Sequence, residues 1–138
     1  DLRVTALDSS GKMLSFLAQF PLDNLEIVQG RAEEWGRREK YDIVTGRALA
    51  PLAIQLEVSA AWARISGAVI PMRTAGEEFD GPDEEVLGLK LERIVKGAVT
   101  IGGAERAFPI YRKVRATPRT LPRRWAEIRS APLMRTTP

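Results

Sequence analysis

The sequence predicts an α/β fold built on a mostly parallel sheet. Three observations carry this. Short β-rich apolar runs alternate with stretches of helical spacing. Turn formers such as Ser9-Ser10-Gly11, Gly30 and Gly46 separate the segments. Apolar residues make up 44% of the 138, enough to fill one core.

Residues 2–7 form a β-rich run that ends at Asp8. In residues 12–20, Met13, Leu14, Phe16, Leu17 and Phe20 recur at helical spacing, and Pro21 stops that helix. Residues 25–28 read as a second strand closed by Gly30. Residues 31–40 read as a short polar helix or turn carrying Trp35, and residues 41–45 as a third strand. Residues 46–51 are a loop. A helix over 52–64 puts Leu52, Leu56 and Ala60 on one side, and residues 67–72 form a fourth strand. A loop over 74–81 and a short helix over 82–87 follow. Two further strands cover 89–95 and 107–114. The glycines between them suit a hairpin, with room for an extra short strand. From Arg115 the prolines at 118, 122, 132 and 138 predict extended chain. The expected boundaries are therefore a domain over 1–114 and a basic Pro/Arg-rich extension over 115–138.

Composition removes several chemistries. With no Cys there is no disulfide framework and no thiolate metal site. With no His there is no imidazole ligand, no His general base and no Ser-His-Asp arrangement. No metal is expected. No stretch reaches 18 uncharged apolar residues, and the N-terminus does not read as a signal peptide. The expectation is a cytoplasmic monomer with no membrane partner. The chain opens at Asp1 and enters a strand at once, so it reads as a piece of a longer protein.

Charge is uneven. Residues 105–138 hold nine basic and two acidic side chains, and all but one of the nine are Arg. The rest of the chain is net acidic, so the pI near 9.6 comes from this segment. Arg suits planar contacts to phosphate, which favours a polyanion partner, nucleic acid first. A solubilising segment explains the same charge.

In parallel α/β sheets ligands collect at the carboxyl ends of the strands. Three such ends carry distinctive residues here. Asp8 can take the hydroxyls of a ribose, or it can cap the helix that follows. Lys12, in the first turn of that helix, opposes the helix dipole unless a phosphate lies near, but an exposed Lys is also ordinary. At Ala32-Glu33 the backbone amides can read an adenine edge while the Glu side chain orients the loop; an acidic first turn explains them equally. Arg31 can pair with Glu33 or Glu34 for about 0–1 kcal/mol. Arg47, directly after the third strand, is expected to be partly buried and to need an anion, or an ion pair with Asp8, Glu33 or Glu57. Trp35 and Trp62 read as packing anchors. Trp125, among arginines, either stacks on a base or docks the segment onto the domain.

These motifs occur in a telling order: Val4 to Lys12, Gly30-Arg31-Ala32-Glu33-Glu34, and Tyr41 through Arg47 to Ala50. Arg112-Lys113-Val114, Thr117-Pro118, Leu121-Pro122-Arg123-Arg124 and Pro132-Leu133 follow. Together they resemble the bacterial glucose-inhibited division protein B family, 16S ribosomal RNA methyltransferases that modify a guanine at N7. The resemblance implies an S-adenosylmethionine-dependent methyltransferase with a Rossmann-like sheet, here N-terminally truncated. It implies that Asp8, Ser9 and Ser10 hold the cofactor ribose, Ala32 and Glu33 its adenine, and that Arg47 lies near the cofactor. It implies RNA contacts from Lys12, Lys113, Arg119, Arg123 and Arg124, with 16S ribosomal RNA or a small-subunit precursor as partner. No catalytic side chain is implied. Guanine N7 already carries a free lone pair, so alignment and tolerance of the cationic product are what the site must provide. The target base must be single-stranded or turned out of its stack.

Two departures stand out. The family's glycine-rich cofactor loop, which follows its first strand, has no counterpart here. Without that central strand, two facing sheet edges are expected to stay unpaired and the cofactor to be half held. The chain by itself is expected to bind cofactor poorly. The family's Lys-Gly pair is replaced by Arg73-Thr74, which leaves the role of Arg73 open. Two other functions fit the residues alone: a different nucleotide-using α/β enzyme, and a non-catalytic RNA-binding module.

Overall fold

The computed structural model describes residues 2–47 and 50–136. It divides into two compact units, Asp1–Gly36 and Arg37–Pro138. Among the described residues six strands form two sheets.

The first unit is a strand–helix–strand turn. β1 (Val4–Asp8) and β2 (Leu25–Gln29) pair in parallel, from Val4 opposite Leu25 to Asp8 opposite Gln29. Between them lies α1 (Gly11–Leu17). Ser10 caps it, its hydroxyl accepting from the Met13 N–H. That satisfies one of the orphan donors of the first turn. The helix ends well short of Pro21. The Phe16 and Leu17 carbonyls accept from Gln19 and Phe20 instead, which tightens the chain into turns. Phe16 and Phe20 meet edge to face with ring centres 5.4 Å apart. Leu14 is the one buried apolar side chain of this unit among the described residues. After β2 the chain makes a single 3-10 turn over Ala32–Glu34, within the stretch read as polar helix or turn.

The second unit holds a four-stranded sheet of order β3-β4-β6-β5. β3 (Tyr41–Arg47) and β4 (Ala63–Thr74) are parallel, joined through α2 (Leu52–Ala60). β5 (Leu89–Ala98) and β6 (Glu105–Lys113) form an antiparallel hairpin, and β6 lies against β4. Among the described residues no extra strand forms where the sequence left room for one. β5 runs on to Ala98 and the turn closes through Gly103 N–H to the Thr100 carbonyl. α2 stops before the expected residue 64. The carbonyls that would continue it are taken: Ala60 and Ala63 by the Lys113 ammonium, Trp62 by the Lys40 and Tyr41 N–H groups. β4 starts earlier than expected because of an irregularity opposite Tyr41–Ile43. There Ser66 takes φ 73°, and a Cβ on Gly67 would lie 2.7 Å from the Asp42 carbonyl oxygen. α2 is buried almost all round. Its Leu52, Leu56 and Ala60 join Val44, Val69, Leu87, Leu89, Ala107, Tyr111 and Leu121 in one core.

Residues 115–136 are not the extended tail that the prolines suggest. They contain α3 (Trp125–Ser130) and bury Thr117, Leu121 and Ile128 within the second unit. Arg38 donates to the Thr117, Pro118 and Leu121 carbonyls, and the Thr117 hydroxyl donates to the Leu87 carbonyl. Gly88, at φ 81°, sits where a Cβ would strike the Arg115 carbonyl, so only Gly lets this segment pass.

Candidate cofactor site and basic residues

In the first unit the parallel register brings two of the predicted strand ends side by side. Asp8 ends β1, and the Gly30 N–H donates to its carbonyl. The Asp8 carboxylate is exposed and accepts from the Ser10 N–H at 2.7 Å through one oxygen. Its other oxygen has no partner among the described residues. Ser9 is exposed, and its carbonyl accepts from the Gln29 side chain. Ser10 serves as the cap of α1. Asp8 is therefore not the cap, which separates the two readings of that residue.

The loop after β2 is held by its own ion pair. Arg31 Nε donates to Glu33 Oε1 at 2.5 Å, and the Glu33 side chain is 7% exposed. The following N–H groups, those of Glu34 and Trp35, are used within the 3-10 turn. The Ala32 and Glu33 N–H groups have no acceptor among the described residues. A free carboxylate oxygen at the end of β1 and two free amides after the end of the neighbouring β2 are a donor–acceptor set that suits a nucleoside, hydroxyls for the one and ring nitrogens for the other. The residues present thus fit the ribose and adenine of the cofactor the resemblance implies.

The second unit presents Arg47 at the carboxyl end of β3. It is exposed, not partly buried, and has no ion pair among the described residues of its unit. Ala48 and Leu49, which belong to the same motif, lie outside the described residues. Glu57, one of the partners proposed for Arg47, is taken by Arg123 instead.

The basic residues divide sharply. Lys113 is 1% exposed, and its ammonium donates to the Ala60 and Ala63 carbonyls at 2.7 and 3.0 Å. Burial pushes its pKa down to about 8. It closes the end of α2 and faces no RNA. Arg123 straddles the fully buried Glu57 carboxylate, donating from its backbone N–H, Nε and Nη2. Its Nη2 also reaches the Ala131 carbonyl. Its first task is to anchor the C-terminal segment. Arg112 pairs with Glu92, and Arg135 with Glu84. Arg115 donates to the Glu85 carbonyl. Of the five cations assigned to RNA, Lys12, Arg119 and Arg124 stay outward, and Arg124 makes only a surface pair with Glu127. Trp125 is half-buried at the start of α3, which favours docking over base stacking.

Arg73, whose role the sequence leaves open, is a buried structural cation. It donates to Glu77 through Nε and Nη2, and through Nη1 to the Ala50 carbonyl and Gln55 Oε1. Burial alone would raise the Glu77 carboxyl. The hydrogen bonds and charge of Arg73, with the Thr74 N–H and hydroxyl, outweigh it and hold Glu77 below the usual carboxylate range. Sequence reasoning missed Gln55 and Glu77, and it named Glu57 only as a partner for Arg47. The roles of Arg73 and Lys113 were nonetheless written in the pattern, since Arg73 is in phase with the buried Val69 and Pro71 and Lys113 with Ala107, Pro109 and Tyr111. Among the described residues no helix is long and apolar enough to cross a membrane, and no group of three His, Cys, Asp or Glu is placed to hold a metal ion.

Solved structures place the fold. A putative methyltransferase from Bacillus halodurans matches with a TM-score of 0.58 at 17% identity, over 82% of this chain and 84% of that one. M. jannaschii TYW2 in complex with AdoMet matches at 0.60 and 11% identity, over 81% and 58%. The fold is that of the S-adenosylmethionine-dependent methyltransferases, as the sequence predicted. Residues 1–99 match the family described as rRNA small subunit methyltransferase G, or GidB. Ribosomal RNA small subunit methyltransferase G of Symbiobacterium thermophilum is 35% identical, over 94% of this chain and 60% of the relative. Its counterpart from Lysinibacillus sphaericus is 31% identical, over 89% and 57%. The chain belongs to this family. It spans about 60% of the length of the curated relatives it matches.

Proposed function

We propose that the chain serves an S-adenosylmethionine-dependent methyltransferase acting on N7 of a guanine in small-subunit ribosomal RNA. Family membership supports the substrate class. The observation that carries the cofactor reading is the pairing of the free Asp8 carboxylate oxygen with the open amides of Ala32 and Glu33. Asp8 accepts from the ribose hydroxyls. The two amides donate to ring nitrogens of the adenine, on a loop kept in shape by Arg31 and Glu33. Ser9 and Ser10 line the turn between Asp8 and α1. In the second unit, Arg47 presents an exposed positive charge at the end of β3. When bound, the cofactor supplies an electrophilic methyl on a sulfonium. No side chain need remove a proton from N7, so a chain without His is not handicapped. Of the cations the resemblance assigns to RNA, Lys12, Arg119 and Arg124 are exposed and available to its phosphates. The partner is 16S ribosomal RNA or a small-subunit precursor, met in the cytoplasm by a monomer.

Calorimetry with S-adenosylmethionine on the natural gene product tests this. Parental binding, weakened about tenfold or more by Asp8→Ala, is the expected result. A parent that binds no S-adenosylmethionine overturns the reading.

A further inference from the structure

We propose that Gln55, oriented by Arg73, is a positioning residue that fixes the carboxyl end of β3 for its ligand. This rests on the cofactor reading above, in which the resemblance assigns Arg47 to the cofactor.

The geometry is a relay of fully used groups. Gln55 is 5% exposed and Arg73 6%. A guanidinium only donates, so the Gln55 oxygen must face Arg73; it does, at 2.8 Å. The amide nitrogen is thereby turned to β3, where it donates to the Gly46 carbonyl at 3.2 Å and the Arg47 carbonyl at 2.9 Å. Arg73 adds a bond to the Ala50 carbonyl at 2.7 Å, further along the same connection. Glu77 holds the guanidinium from the other side. Gly46 is part of the device, because a Cβ there would lie 3.2 Å from the Gln55 amide nitrogen. Two successive carbonyls gripped by one amide fix the backbone direction at Arg47, and hence where its side chain leaves the strand. Neither Gln55 nor Arg73 needs to touch the ligand. α2 and β4 supply the two residues, so the relay transmits the rigidity of the core to a strand end that is itself exposed at Arg47.

Steady-state kinetics of the natural gene product, with S-adenosylmethionine and small ribosomal subunits as substrates, read this role. Gln55→Glu keeps an acceptor for Arg73 but removes the amide that donates to β3. Gly46→Ala keeps every hydrogen-bonding group and presses a methyl against that amide. The expected result is a KM for S-adenosylmethionine raised about tenfold by Gln55→Glu and about threefold by Gly46→Ala. The KM for the subunit stays within about twofold. A purely structural role would not split the two KM values at a temperature well below unfolding. Should Gln55→Glu fail to fold, Gly46→Ala decides alone. Equal changes in both KM values, or none, overturn the inference while leaving the function reading intact. A parent that neither binds S-adenosylmethionine nor transfers methyl overturns the function reading instead.

Discussion

The two units solve the same local problem with very different support. Each places a helix between two parallel strands and offers polar groups where the first strand ends. In the first unit the helix buries Leu14 alone, and Met13, Phe16 and Phe20 stay exposed. In the second, α2 is buried almost all round and its polar residues are built into the core. Gln55, Glu57 and the Ala60 carbonyl each hold a partner from another element. The open amides and the free carboxylate oxygen belong to the lightly packed unit. The interlocked polar network belongs to the dense one. Ligand-ready groups are those the fold has not already used, and a scaffold with few buried contacts leaves more of them and opens more readily.

The largest test of this contrast is Glu57→Ala. It strands Arg123 and three donors, and breaking such a pair costs about 3–5 kcal/mol. Denaturant unfolding of the natural gene product should show that loss. Hydrogen exchange should show residues 115–136 losing protection while the first unit keeps its own. Next comes Leu14→Ala, at about 2–4 kcal/mol of local stability. Exchange at β1 and β2 should rise with little change in the second unit. A global loss shared by both units would erase the distinction drawn between them.

Acid titration gives a smaller effect confined to the dense unit. Glu77 is held below its ordinary pKa, so the unfolded chain takes up the proton first as the pH falls. Its contribution is complete above the unfolded value of about 4.3 and is lost as pH drops through the lower folded value. Denaturant midpoints between about pH 6 and about pH 3 should fall less steeply in Glu77→Gln than in the parent. The smallest effect on stability is that of Arg124→Ala, about 0–1 kcal/mol for an exposed pair. Its readout is RNA affinity, which should drop and lose part of its salt dependence. Arg123→Ala, by contrast, should lower stability as well as RNA affinity, because its guanidinium is tied to Glu57.

How much of this was legible varies by region. The places of Asp8 and the 31–33 turn at strand ends could be read because the spacing showed where the strands end. Lys113 and Arg123 were read as RNA contacts without their structural roles, because charge is visible in a sequence and burial is not. The strand period puts Lys113 on the buried face, so that error was avoidable. Arg123 was not avoidable. Its partner lies on α2, at residue 57, and no local pattern pairs positions so far apart.

The sequence by itself determined the order of strands and helices as far as residue 114, the absence of imidazole and thiol chemistry, the family, and the strand ends at Asp8, Gly30 and Arg47. These follow from periodicity, composition and local turn chemistry, which act over a few residues. Only the tertiary structure decided which cations remain outward, that the C-terminal segment folds back, and that Arg73 acts through Gln55 on β3. Those outcomes depend on desolvation. A charged group removed from water must find its counterpart wherever the chain supplies one, and that place is set by the packed fold.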